Sequence, residues 1–136
     1  MNNETDKSAS VSSRDQTGPA AAPWTLPQAL AELWDAGQSE VVMELIHLFL
    51  TDTRERLDLL QQALAARELD KLRRMAHSIK GSCSQMGETR MAQIGMELEE
   101  IFCRGSFDGS EPLVAALLRQ FESSTRSMRA FVEKHG

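Results

Sequence analysis

Residues 73–87 read RRMAHSIKGSCSQMG and carry two different helical faces. At 3.6 residues per turn, apolar side chains recur along one stripe of this segment and its approach, at Leu72, Ala76, Ile79, Cys83 and Met86. The spacing predicts a helix that packs against other helices. Gly87 should end this helix, because glycine readily adopts the left-handed backbone that follows a helix C-terminus.

The second face of this helix is polar and is centred on His77. One residue step rotates the chain by about 100°, so His77 points away from the stripe that contains Ala76. The residues on its side, at spacings of three, four and seven, are Arg73, Arg74, Lys80, Gly81 and Ser84. A glycine inside a helix costs about 1 kcal/mol relative to alanine, so Gly81 suggests a place where a partner or another backbone comes close. This face offers an imidazole nucleophile, a cation for a phosphoryl oxygen, and room for a docking protein.

The pattern His77-x-x-Lys80-Gly81, followed by Gly87, resembles the signature of histidine-containing phosphotransfer (HPt) domains of two-component phosphorelays. The resemblance implies that His77 accepts a phosphoryl group from the aspartyl phosphate of a response-regulator receiver domain, and that Lys80 stabilises it. It also implies a phosphocarrier rather than a conventional enzyme, with a hybrid sensor histidine kinase as a further partner and no kinase nucleotide site. The receiver would supply the aspartate and Mg²⁺, so the chain needs no cofactor or metal of its own.

Other polar residues near His77 are assigned partner-docking roles. Ser84 and Gln85 lie one to two turns beyond His77, and Arg90 belongs to the next predicted helix. On the family pattern, these three could contact the phosphoryl group. Arg73 and Arg74 are either docking residues or a solvated basic edge. We also hypothesise that Arg73, Arg74 and Lys80 favour neutral His77 by like-charge repulsion.

The rest of the chain predicts an all-α fold, an antiparallel four-helix bundle with a short additional N-terminal helix. Residues 1–23 lack hydrophobic periodicity and suggest a disordered tail or linker, which leaves residues 24–136 as the bundle domain. The short helix should run from Pro27 to 35–37 and cover one end of the core with Trp24 or Trp34. The other helices are expected at 40–66 with Ser39 as N-cap, at 89–104, and from Pro112 to near the C-terminus. The expected inner face of the second helix comprises Val42, Leu45, Ile46, Phe49, Leu50, Leu57, Leu60 and Leu64. In the helix at 89–104, Gly95 is small enough to let two helices approach.

Composition narrows the possible functions. A formal net charge of −5 and a pI near 5.2 argue against a protein that binds nucleic acid or an anionic membrane. No apolar run approaches the ~18 residues of a bilayer span, and the N-terminus lacks a signal-peptide pattern. We therefore expect a cytoplasmic protein without membrane insertion, monomeric because the bundle buries its own stripes. Cys83 and Cys103 are expected to be packing residues in a reducing compartment.

Two other functions fit parts of the sequence. Glu44-x-x-His47 has the helical spacing of di-iron bundles, but a second such pair ending at His77 would need glutamate where Arg74 stands. A helical adaptor with the HPt shape that binds a signalling partner without phosphotransfer is the stronger alternative. For Gly81, the alternative is close helix packing inside the bundle, in which case alanine there would lower stability.

Overall fold

The computed structural model describes residues 24–136, and the predicted tail or linker of residues 1–23 lies outside the described residues. The described part is all α. Its helices are α1 (Gln28–Asp35), α2 (Ser39–Ala65), α3 (Leu69–Gln85), α4 (Thr89–Cys103) and α5 (Ser110–His135). Helix α3 packs between α2 and α4, α5 closes the bundle against α4 and α2, and α1 contacts α2. The predicted bundle with a short N-terminal helix is confirmed.

The helix boundaries agree with the sequence predictions to within two residues, with one wrong cap. Ser39 is the first residue of α2, not its N-cap, and Gln38 before it makes no side-chain capping hydrogen bond. Three residues connect α2 to α3, and three connect α3 to α4. Such short loops make consecutive helices antiparallel neighbours. None of the helices between residues 24 and 136 is long and apolar enough to cross a bilayer.

The apolar stripe of α3 is buried as predicted, from Leu72 through Ala76, Ile79 and Cys83 to Met86. It shares the interior with buried residues of the other long helices: Val42, Ile46, Phe49, Leu57 and Leu60 of α2, Met91, Ile94, Leu98 and Phe102 of α4, and Leu117, Phe121 and Met128 of α5. These side chains form one continuous core.

Two residues predicted to be inside are exposed. Leu45 is one residue step away from the buried line of Val42, Ile46 and Phe49, and that rotation turns it to the outer surface of α2. Cys103 is likewise exposed, because its neighbour Phe102 takes the core position in the last turn of α4.

The turn between α3 and α4 has the predicted glycine. Gly87 adopts a φ of 72°. Its N–H donates to the Ser84 carbonyl, and the N–H of Glu88 donates to the Cys83 carbonyl. This pair of hydrogen bonds is a Schellman motif. The turn fixes α4 directly against α3.

The N-terminal segment covers this end of the bundle, as expected. Trp24 is buried, and its indole N–H donates to the Met86 carbonyl at 2.8 Å. The Trp24 ring meets Phe131 of α5 edge to face, with 5.5 Å between the ring centroids. This tryptophan therefore packs on the core and satisfies a carbonyl at the C-terminus of α3.

Candidate functional site

His77 lies on the outer surface of α3 beside a fully buried stripe. Its side chain is 68% exposed, whereas Ala76 next to it is completely buried. Nδ1 of His77 lies 2.8 Å from Oε2 of Glu99 on α4. Since an ionised carboxylate can only accept, Nδ1 carries the proton, and a neutral ring then has its lone pair on Nε2. No residue in the described part of the chain hydrogen-bonds Nε2.

Glu99 holds two side chains of α3 at once. While Oε2 accepts from His77, Oε1 lies 2.8 Å from Nζ of Lys80. The hydrogen bond from Lys80 is the largest cause that lowers the pKa of Glu99, and the bond from His77 lowers it further against the opposing effect of burial. Glu99 is therefore an anion at neutral pH, as the hydrogen bond from Nδ1 requires.

Sequence reasoning missed Glu99, although a signal for it was present. His77 and Glu99 are each eleven residues from Glu88 in the α3–α4 turn. In an antiparallel hairpin with so short a loop, these positions lie at the same level of the two helices. The reach between the side chains, however, also depends on how closely the helices approach.

Gly81 is exposed, and a Cβ built on it would meet no atom within 4 Å. The alternative that Gly81 permits close packing inside the bundle is therefore wrong. The residue leaves a bare strip of backbone on the surface one turn from His77, which is compatible with the docking of another protein.

Among the described residues, the remaining predicted site residues make no hydrogen bond or ion pair with His77. Arg73 pairs with Asp70 on its own helix, whereas exposed Arg74 makes no ion pair within residues 24–136. Ser84, Gln85 and Arg90 are exposed near the junction of α3 and α4. Ser84 is seven residues from His77, about 10 Å along the helix, which suits contact with a partner better than with the phosphoryl group.

The charges around His77 are partly neutralised. Of the three cations proposed to favour the neutral ring, Lys80 is paired with Glu99 and Arg73 with Asp70. Their like-charge effect on His77 stays a prediction.

The di-iron alternative finds no support in the geometry. Glu44 and His47 are both exposed on α2 instead of facing the bundle interior. Among the described residues, no group of three or more His, Cys, Asp or Glu side chains is arranged to hold a metal ion.

Comparison with models of known protein families assigns the chain to a family. The family model described as the Hpt domain matches residues 44–127, more than half of the sequence. The chain belongs to the Hpt domain family. This Hpt assignment agrees with the resemblance seen in the motif around His77 and supports a phosphotransfer-type function in phosphorelays. Hpt domains work with hybrid histidine kinases and receiver domains. Comparison with curated proteins gives no match.

Two solved structures resemble this Hpt domain. Histidine-containing phosphotransfer protein B (HptB) from Pseudomonas aeruginosa PAO1 is 29% identical, with a TM-score of 0.74 over 84% of this chain and 98% of that one. The HPT domain from the Hpt sensor hybrid histidine kinase of Shewanella is 17% identical, with a TM-score of 0.65 over 80% of this chain and 94% of that one. The second likeness concerns the fold alone.

Proposed function

We propose that this Hpt domain accepts a phosphoryl group on Nε2 of His77 from the aspartyl phosphate of a receiver domain, and passes it to the aspartate of a second receiver. The observation that carries the proposal is the orientation of the ring. Nδ1 is hydrogen-bonded to Glu99, while Nε2 has no hydrogen-bond partner among the described residues. The His77 side chain is largely exposed. A neutral imidazole held in this way is a competent nucleophile near neutral pH.

The transfer step uses few groups of this chain. The Nε2 lone pair attacks phosphorus, the N–P bond forms, and the P–O bond to the aspartyl group breaks, so that the aspartate carboxylate leaves with the bonding electrons. The ring becomes positively charged and shares its Nδ1 proton with Glu99, an anion placed to stabilise that charge. Transfer onward is the reverse of this step. Mg²⁺ would be supplied by the receiver.

Lys80 is placed to bind the phosphoryl group after transfer. Its side chain is 34% exposed and lies one turn from His77 while it is paired with Glu99. An ammonium group has three N–H donors, so Lys80 can keep its hydrogen bond to Glu99 while it donates another to a phosphoryl oxygen. A charge-assisted hydrogen bond of this kind stabilises the negatively charged phosphoryl group on His77.

The partner surface proposed for receiver domains is centred on Gly81. Exposed polar residues lie on the same two helices, namely Arg74, Ser84 and Gln85 on α3 and Arg90 on α4. Exposed Met96 adds apolar surface one turn before Glu99. Donor and recipient receivers would use the same face, because each must bring its aspartate to Nε2. The hybrid sensor kinase would contribute one of these receivers, and the domain would work as a cytoplasmic monomer.

The proposal is tested by transfer of labelled phosphate from a purified, phosphorylated receiver domain of a hybrid kinase. The wild-type protein should acquire an acid-labile label, as expected for a phosphoramidate, and ³¹P NMR should place it on Nε2. His77→Ala should abolish the label. His47→Ala is the matched control, because His47 is also an exposed histidine but makes no hydrogen bond or ion pair with a lysine or a carboxylate in the described structure. The label on the His47→Ala variant should be unchanged.

Two outcomes would overturn the proposal. A label that persists in His77→Ala would place the phosphoryl group elsewhere. Absence of label from several receivers that nevertheless bind the folded protein would favour the adaptor function.

A further inference from the structure

Gly95 lies on the side of α4 that faces α3, four residues before Glu99. A Cβ built on it would stand 3.3 Å from both Cα and N of Lys80, and 3.4 Å from its Cβ. Carbon atoms in favourable contact are about 3.5–4.0 Å apart. The two helix backbones therefore approach so closely at this point that a side chain on residue 95 would require a shift of a few tenths of an ångström.

We infer that Gly95 is a positioning residue for phosphotransfer, whose missing side chain sets the α3–α4 separation that lets Glu99 reach both His77 and Lys80. The inference goes beyond the packing expected of a small residue, because the close approach occurs at Lys80 itself. Its kinetic part rests on the proposed function. Its structural part concerns only the orientation of His77 and does not require a receiver.

The two contacts of Glu99 make its position sensitive to the helix separation. Oε2 lies 2.8 Å from His77 and Oε1 2.8 Å from Lys80, so one carboxylate spans two side chains that are fixed to the same helix. If α4 moved away by about 0.4 Å to restore normal contact at residue 95, both contacts would lengthen toward about 3.2 Å, the upper end of the hydrogen-bond range, and both hydrogen bonds would weaken.

The chain offers a matched control for this inference. Gly81 and Gly95 are the glycines inside α3 and α4, and their change to alanine alters helix propensity in the same way. A Cβ at residue 81 meets nothing within 4 Å, whereas one at residue 95 meets the backbone of Lys80. Only Gly95→Ala should therefore change the orientation of Glu99.

The first readout is ¹⁵N NMR of the His77 ring nitrogens at about pH 8.5, well above the ordinary histidine pKa of about 6.5. Wild-type protein and Gly81→Ala should show one neutral form with the proton on Nδ1. Gly95→Ala should show a mixture of the two neutral forms, because the hydrogen bond that selects one of them is weakened. Glu99→Asp, which shortens the reach of the carboxylate but keeps Gly95, should produce the same mixture and so shows that the mixture reports the reach of Glu99. A Gly95→Ala variant that does not fold would leave the glycine a packing role and would count against the inference.

The second readout is the transfer rate from a phosphorylated receiver. For Gly95→Ala we expect about a tenfold lower rate at saturating receiver, with little change in the receiver concentration that gives half the maximal rate. A single Nδ1–H form and a wild-type rate in Gly95→Ala would overturn the inference and leave the glycine a packing role only. Failure of wild-type protein to accept phosphate would instead overturn the proposed function, and the NMR comparison would still decide the role of Gly95.

Discussion

Changing Gly81 to alanine should stabilise the domain and weaken its interaction with a receiver. The added methyl group meets no atom within 4 Å, so no steric cost opposes the gain in helix propensity. Alanine is better than glycine inside a helix by about 1 kcal/mol, so the free energy of unfolding should rise by up to that amount. For a domain of roughly this size, that corresponds to about 4–6 °C in melting temperature.

The same methyl group would stand on the bare strip next to His77 that we propose a receiver approaches. Overpacking of a well-packed core costs about 1–3 kcal/mol, and the same cost at the interface would correspond to a loss of about five- to 150-fold in receiver affinity. Stability is measured by urea and thermal unfolding followed by circular dichroism. Affinity is measured by titration with an unphosphorylated receiver, so that binding is separated from phosphotransfer.

The two measurements test separate parts of the reasoning. A melting temperature that falls in Gly81→Ala would mean that the methyl group does meet structure, contrary to the open space around residue 81. Unchanged receiver affinity in a stabilised variant would mean that the receiver does not approach the backbone here. Gly95→Ala serves as the comparison for stability, because it combines the same gain in helix propensity with a steric cost against Lys80.

Three further predictions concern carboxylates and cysteines. Glu99→Ala should slow phosphotransfer to His77 by at least about tenfold, because the ring loses the group that orients it. Initial rates measure the loss, and circular dichroism should show that the fold is retained. An unchanged rate would contradict this role of Glu99. Burial raises the pKa of Glu88, against the smaller opposing effect of the Ser124 hydroxyl, so the native state binds this proton more tightly than the unfolded chain does. Stability should therefore fall as pH rises from about 4.5 through the raised pKa. Urea unfolding should accordingly show Glu88→Gln to be more stable than the wild type at pH 7 but not below pH 4, and equal stability at pH 7 would refute the burial cost. Exposed Cys103 should react with a thiol reagent in the native state. Cys83 is buried, which raises its pKa to about 12, so it should react only on unfolding. Labelling of both thiols at the same rate in the native state would show that Cys83 is not shielded by the core.

Hydrophobic periodicity was sufficient to predict the helices because each one buries a continuous stripe. The stripe from Leu72 to Met86 is buried throughout, and Gly87 ends α3 as predicted. The errors arose where a residue lies at the edge of a stripe. Leu45 and Cys103 are apolar enough to pack, but each is one residue step from a side chain that takes the core position. A rotation of about 100° decides whether a side chain is inside or outside, and apolar character alone does not show which of two adjacent residues takes the core position.

For the site, the sequence by itself determined which residues share the outer face of α3. His77, Lys80 and Gly81 are related by helical spacing within one segment, and local geometry fixes their relation whatever surrounds the helix. Only the tertiary structure decided that Glu99 binds His77 and Lys80, and that Gly81 faces open space while Gly95 meets a backbone. Those relations join two helices, so they depend on the register of α3 and α4 and on differences of a few tenths of an ångström in the distance between them. Both are set by packing of the whole core, which no single segment specifies.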